Sequence, residues 1–138
     1  MNRPRLTGGL ASHVKSLKDD SNRVLVIGDL HAPFGLDEYL AFCIDQRDRF
    51  NCNRIIFIGD VIDNHFASYH ETFVDGMSGG DELDAAIHKL ARWYKAFPEA
   101  AVIIGNHDRM VMRKAQTSAV PAKWIKEYKD VLEVPGWE

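Results

Sequence analysis

The chain has 138 residues, 46% of them hydrophobic and 27% charged, with a formal net charge of −3. That balance is the balance of one soluble globular domain and excludes wholesale disorder. No apolar run approaches the roughly 18–20 residues of a membrane span. No apolar secretory segment follows Met1-Asn2-Arg3-Pro4-Arg5, and Cys43 and Cys52 make neither a CxxC pair nor a disulfide framework. A single domain over residues 1–138 in a reducing, cytoplasmic compartment is predicted.

Residues 1–18 carry Arg3, Arg5, Lys15 and Lys18 and no acid. Residues 109–130 carry six basic residues against Glu127 and Asp130, so an acidic middle is flanked by basic ends. Such a layout suits cations at the centre and a polyanion at the rim, and equally suits solvated helix faces. The first apolar run, Val24-Leu25-Val26-Ile27, leads into Gly28-Asp29. The second, Ile55-Ile56-Phe57-Ile58, leads into Gly59-Asp60, and the third, Ala101-Val102-Ile103-Ile104, into Gly105-Asn106. Each reads as a strand of a parallel sheet buried on both faces, ending at a glycine where the backbone can turn sharply.

Between the strands, residues 36–50 place Leu36, Leu40, Cys43 and Ile44 on one helical face. Residues 81–97 do the same with Leu83, Ala86, Ile87, Leu90, Ala91, Tyr94 and Phe97, with Asp81 as N-cap and Pro98 as the stop. Further helices are predicted over 109–118 and from Pro121 to Lys129. Trp93 and Trp124 read as core residues rather than stacking platforms, and His13 and His88 as surface positions. Residues 61–80, with Asp63, Asn64, His65, His70 and Asp75, form the one long irregular stretch. His65 and His70 read first as exposed loop residues. The order β-α-β-α-β-α predicts an α/β fold with a parallel sheet.

Ligands of open parallel sheets bind at the carboxyl ends of the strands, where Asp29, His31, Asp60, Asn106 and His107 are expected to meet. Carboxylate, imidazole and amide oxygen suit divalent transition metals better than soft thiolate sites do. The Asp29-x-His31 spacing permits chelation of one ion; Asp60 can reach that ion and bridge to a second, to which Asn106 offers a neutral oxygen. Such a pair of cations can clamp a phosphate.

Asp29-Leu30-His31, Gly59-Asp60-Val61-Ile62-Asp63 and Gly105-Asn106-His107-Asp108 resemble the DxH, GDxxD and GNH[DE] blocks of the calcineurin-like metallophosphoesterases, in order and at successive strand ends. The sequence is most similar to the phage and bacterial members. The resemblance implies hydrolysis of phosphomonoester or phosphodiester bonds by a metal-activated water at a dinuclear site holding Mn, Fe, Zn or Ni. It implies that Asp29, His31 and Asp60 hold the first ion, with Asp60 bridging and Asn106 on the second. His107 would contact the phosphate and protonate the leaving oxygen, Asp108 would orient His107, and Asp63 would hold the loop. The implied partner is a phosphoester, with nucleic acid or a nucleotide among the candidates and no membrane; for a phage protein the compartment is the host cytoplasm.

Two departures from the family pattern shape the expectations. Asn64-His65 replaces the usual Arg-Gly after GDxxD, and no histidine follows His107, so the later histidine and the Gly-His-x-His block are missing. The sequence therefore predicts about half of a two-sheet sandwich, incomplete at its C-terminal side, with weak activity and a tendency to self-associate. The alternative is a non-catalytic or partner-dependent module that binds metal or phosphate. A dinucleotide enzyme is disfavoured because there is no G-x-G-x-x-G, and an aspartyl-phosphate enzyme because no second acid lies beside Asp29.

Overall fold

Short β-branched runs that stop at glycine form a sheet here as the sequence predicts. The computed structural model describes residues 22–71 and 74–138. Strands β1 (Val24–Ile27), β2 (Arg54–Phe57) and β3 (Ala101–Val102) are parallel and lie in the order β1-β2-β3. Leu25 pairs with Ile55, Ile27 with Phe57, and Phe57 with Val102. Helix α1 (Glu38–Arg49) connects the first two strands and α2 (Gly79–Ala96) the second pair; α3 (Met110–Thr117) and the short α4 (Tyr128–Val131) follow. The fold is thus a small parallel α/β sheet with flanking helices. The basic stretch 1–18, with His13, lies outside the described residues.

The expectation of strands buried on both faces is corrected. Leu25, Ile27, Ile55, Phe57 and Val102 join one core with Tyr39, Leu40, Cys43 and Ile44 of α1 and with Ala86, Leu90 and Trp93 of α2. On the opposite face Val26 is 55% exposed and Ile103 56%, with Val24 and Ile58 also exposed. The reason is topological. Strands added in sequence order, each through a right-handed crossover, place every connecting helix on the same face of the sheet.

Local boundaries shift for identifiable reasons. Ser78, not Asp81, caps α2: its Oγ accepts the Asp81 N–H at 3.2 Å and donates to Asp81 Oδ2 at 2.7 Å, the serine N-cap arrangement. Leu36 precedes α1 and is exposed. The predicted helix from Pro121 is a 3-10 turn over Ala122–Trp124, then extended backbone at Ile125 and Glu127, then α4. Trp124 is exposed, contrary to expectation, whereas Trp93 is buried as expected. The break lets the chain return to the core, where Leu132, Val134 and Trp137 are buried. Trp137 packs on Phe57 at 4.3 Å between ring centroids and donates its indole N–H to the Phe97 carbonyl at 2.8 Å. Among the described residues no helix is long and apolar enough to cross a membrane.

Candidate metal centre

Beyond their last paired residues the strands do not separate; their turns are laced together. His31 N–H donates to the Asp60 carbonyl at 2.9 Å, Ala32 N–H to the Val61 carbonyl at 2.9 Å, and Asp63 N–H back to the Ala32 carbonyl at 3.0 Å. Within this weave Asp29, His31, Asp60 and Asn64 adopt left-handed backbone, with φ of 52°, 44°, 51° and 51°. Left-handed non-glycine residues cost about 1–3 kcal/mol each and persist where the surroundings over-determine them, commonly at functional sites. Two glycines permit the close approach of β2 and β3. Gly59 has φ 108°, and a Cβ there would stand 2.8 Å from the Gly105 Cα. A Cβ on Gly105 would collide with the Asp60 carboxylate and its backbone nitrogen.

Asp108 is the buried tie of the three turns. Its Oδ2 accepts the Asp60 and Gly105 N–H groups, both at 2.8 Å. Its Oδ1 accepts the N–H groups of Val61 at 3.1 Å and Ile62 at 3.2 Å, and the Tyr128 hydroxyl at 2.7 Å. Burial, reinforced by the Asp108 carboxylate, pushes the Tyr128 hydroxyl well above the usual phenol range and keeps it a donor. The expected role of Asp108 is therefore corrected: its carboxylate binds backbone and Tyr128, and the His107 ring is oriented by another residue.

That residue is Asp63. Its Oδ1 lies 2.7 Å from His31 Nδ1, and its backbone carbonyl lies 2.7 Å from His107 Nδ1. A carbonyl only accepts, so His107 Nδ1 carries the proton; the carboxylate sets the same tautomer on His31. In its neutral form each ring then presents a bare Nε2. The rings meet edge to face, with centroids 4.7 Å apart. Asp60 Oδ1 accepts the His107 N–H at 3.0 Å, and Asn64 Nδ2 donates to the His107 carbonyl at 2.9 Å, which holds this turn against the second one.

One ligand atom from each of His31, Asp60 and His107 lies within 4.8 Å of the others, the spacing of a set that could hold a metal ion. Asp29 Oδ1 stands 3.7 Å from His31 Nε2 and its side chain is exposed. Imidazole nitrogen with carboxylate oxygen is a donor set for borderline divalent metals, so the residues fit the implied ion. Asn106 lies between Gly105 and His107, whose backbone N–H groups are tied to Asp108 and Asp60, and its own side chain is exposed at the rim. His107 thus stands with His31 and Asp60 at the strand ends, where the sequence expects it as a neighbour of the ligands.

Three supports were missed from sequence. Glu82, almost fully buried in the first turn of α2, accepts the His65 and Phe66 N–H groups at 2.7 and 3.1 Å and holds the loop after β2. It shares the buried stripe with Ala86, Leu90 and Trp93, so a carboxylate in phase with the core face was the available signal. Lys89 reaches the carbonyls of Pro33 and Gly35 and lies 3.2 Å from Asp37 Oδ1, fixing the loop after β1. Tyr128 had no signal. His70 is exposed, whereas His65 is partly buried.

A parallel sheet whose strand-end turns gather histidines and aspartates is an arrangement that could hold a divalent cation. The model of the calcineurin-like phosphoesterase family matches residues 22–138, and the chain belongs to that family. The family is one of metal-dependent phosphoesterases. Comparison with curated proteins and with solved structures finds no match.

Proposed function

We propose that this chain hydrolyses phosphomonoester or phosphodiester bonds with two divalent cations at the strand ends. The observation that carries the reading is the gathering of His31, Asp60 and His107 within 4.8 Å, with His31 and Asp60 in left-handed backbone and Asp29 Oδ1 3.7 Å from His31 Nε2. Asp29, His31 and Asp60 would hold the first ion, and Asp60 with Asn106 the second; manganese is the metal to try first. When bound, such cations supply positive charge to the phosphoryl oxygens and lower the pKa of water.

The chain's own residues supply the rest. Asp63 fixes the tautomer of both histidines, so the His31 Nε2 lone pair faces the ligand set. On the doubly protonated ring, His107 Nε2 carries the proton that can pass to the leaving oxygen, while Nδ1 remains held by the Asp63 carbonyl. A cytoplasmic setting agrees with Cys43 and Cys52, both free thiols.

Calorimetric titration with manganese and turnover of nitrophenyl mono- and diesters test this together. Asp60→Ala is expected to lose more metal affinity than Asn106→Ala, because it removes a charge rather than a neutral oxygen. His107→Ala is expected to keep the metal and lose roughly 10²–10⁴-fold in turnover. Loss of metal from His107→Ala would make that residue a ligand. Metal binding with no turnover of any ester would select a non-catalytic binding module instead.

A further inference from the structure

A cavity of about 420 Å³ opens beside the metal centre, within the roughly 300–1,000 Å³ range of small-molecule sites. Its walls include Phe34 from the loop after β1, Asp63 and His65 from the loop after β2, Asp75 and Met77 from the stretch before α2, and Glu82. Asp63 is common to both places: it holds the two histidines on one side and lines the cavity on the other. The organic group of a phosphoester at the metal centre has this cavity next to it.

The wall chemistry selects among organic groups. Three carboxylates line the cavity and, among the described residues, no lysine or arginine does, so a second phosphate or an acidic sugar is repelled. Phe34 is 54% exposed and Met77 46%; an aromatic face and a thioether suit a flat ring. Glu82 is already engaged by two backbone N–H groups and serves as wall. Asp75 is exposed and offers acceptor oxygens in a fork. A flat ring with two adjacent N–H donors matches that fork bidentately, and guanine, with N1–H beside its 2-amino group, is such a ring. Uracil offers one N–H between two carbonyls, which a carboxylate repels.

We propose that this cavity is a base subsite that takes the guanine of a guanosine phosphoester, with Phe34 and Met77 against its faces and Asp75 on its donor edge. The proposal rests on the phosphoesterase reading for the ester bond but not for the binding of the base. The test compares guanosine with uridine in two arms, on wild type and on Asp75→Asn. One arm measures binding of the free nucleosides to metal-free protein by saturation-transfer NMR. The other measures kcat/KM with manganese for the 5′-monophosphates, the 2′,3′-cyclic monophosphates and guanine- or uracil-ended trinucleotides, the last separating a nucleic-acid end from a free nucleotide as the source.

Guanosine is expected to be favoured about tenfold or more, as for sites built to pair a polar edge, and Asp75→Asn is expected to bring the ratio to within about twofold of one. Selectivity in either arm that Asp75→Asn removes supports the subsite. Turnover without base selectivity overturns the subsite and leaves the phosphoesterase reading intact. Base-selective binding with no turnover of any ester keeps the subsite and overturns the phosphoesterase reading. Equal binding of both nucleosides without turnover overturns both.

Discussion

Five donors converge on the single carboxylate of Asp108, and four of them are backbone N–H groups from the turns that carry Asp60 and Asn106. An amide in its place presents N–H₂ to groups that are themselves donors and leaves at least one of them buried and unpaired. Asp108→Asn is therefore expected to cost about 2–4 kcal/mol, read by urea denaturation, and to weaken manganese binding because the Asp60 backbone loses its anchor. A variant of undiminished stability would show that the hydrogen-bond hub is dispensable. The meeting of His31 with Asp60 was legible because each stands just past an apolar run and its glycine, and Asp29, named on the same ground, lies 3.7 Å from His31. The role of Asp108 was not, since its partners at Asp60, Val61, Ile62 and Tyr128 are distant in sequence and mostly backbone. The orientation of His107 by a main-chain carbonyl, at Asp63, leaves no trace in side-chain pattern at all.

Helices α1 and α2 were legible from spacing, since a period of 3.6 repeats the same buried stripe whatever the tertiary detail. Residues 121–131 were not, because the chain there follows packing: Ile125 is extended and Tyr128 turns back to Asp108. The α1 stripe has a pH signature. Burial pushes the Cys43 thiol from its ordinary 9.0 up to about 11. Because the folded pKa is the higher one, stability is fully present below pH 9 and is lost as pH rises toward 11, where the unfolded thiol ionises first. Between pH 8 and pH 10 this loss is about 1 kcal/mol, with Tyr39 and Tyr128, also pushed up by burial, adding to it above pH 10. Urea midpoints across that range are expected to fall less steeply in Cys43→Ala; an unchanged slope would place the titration elsewhere.

At the scale of the molecule, the parallel α/β sheet was legible from three runs and two helices, but its one-sidedness was not, because apolar strand composition reads the same whether one face or two are covered. Among the described residues Val24, Val26, Ile58 and Ile103 make one exposed apolar face, larger in character than the scattered apolar residues normal on a surface. Concentration-dependent association in sedimentation velocity is expected, and Val26→Lys, which charges the centre of that face, is expected to reduce it. A compact monomer at every concentration would show that the face is covered within the chain. Ile58 stands two residues before Asp60, and Ile103 three before Asn106, so that face and the candidate ligands run into the same backbone turns. Any shift of those turns when that face is covered would link coverage to occupation of the cation site. Whatever factor a cation contributes to association, association must return to cation affinity, so the apparent metal affinity is expected to depend on protein concentration.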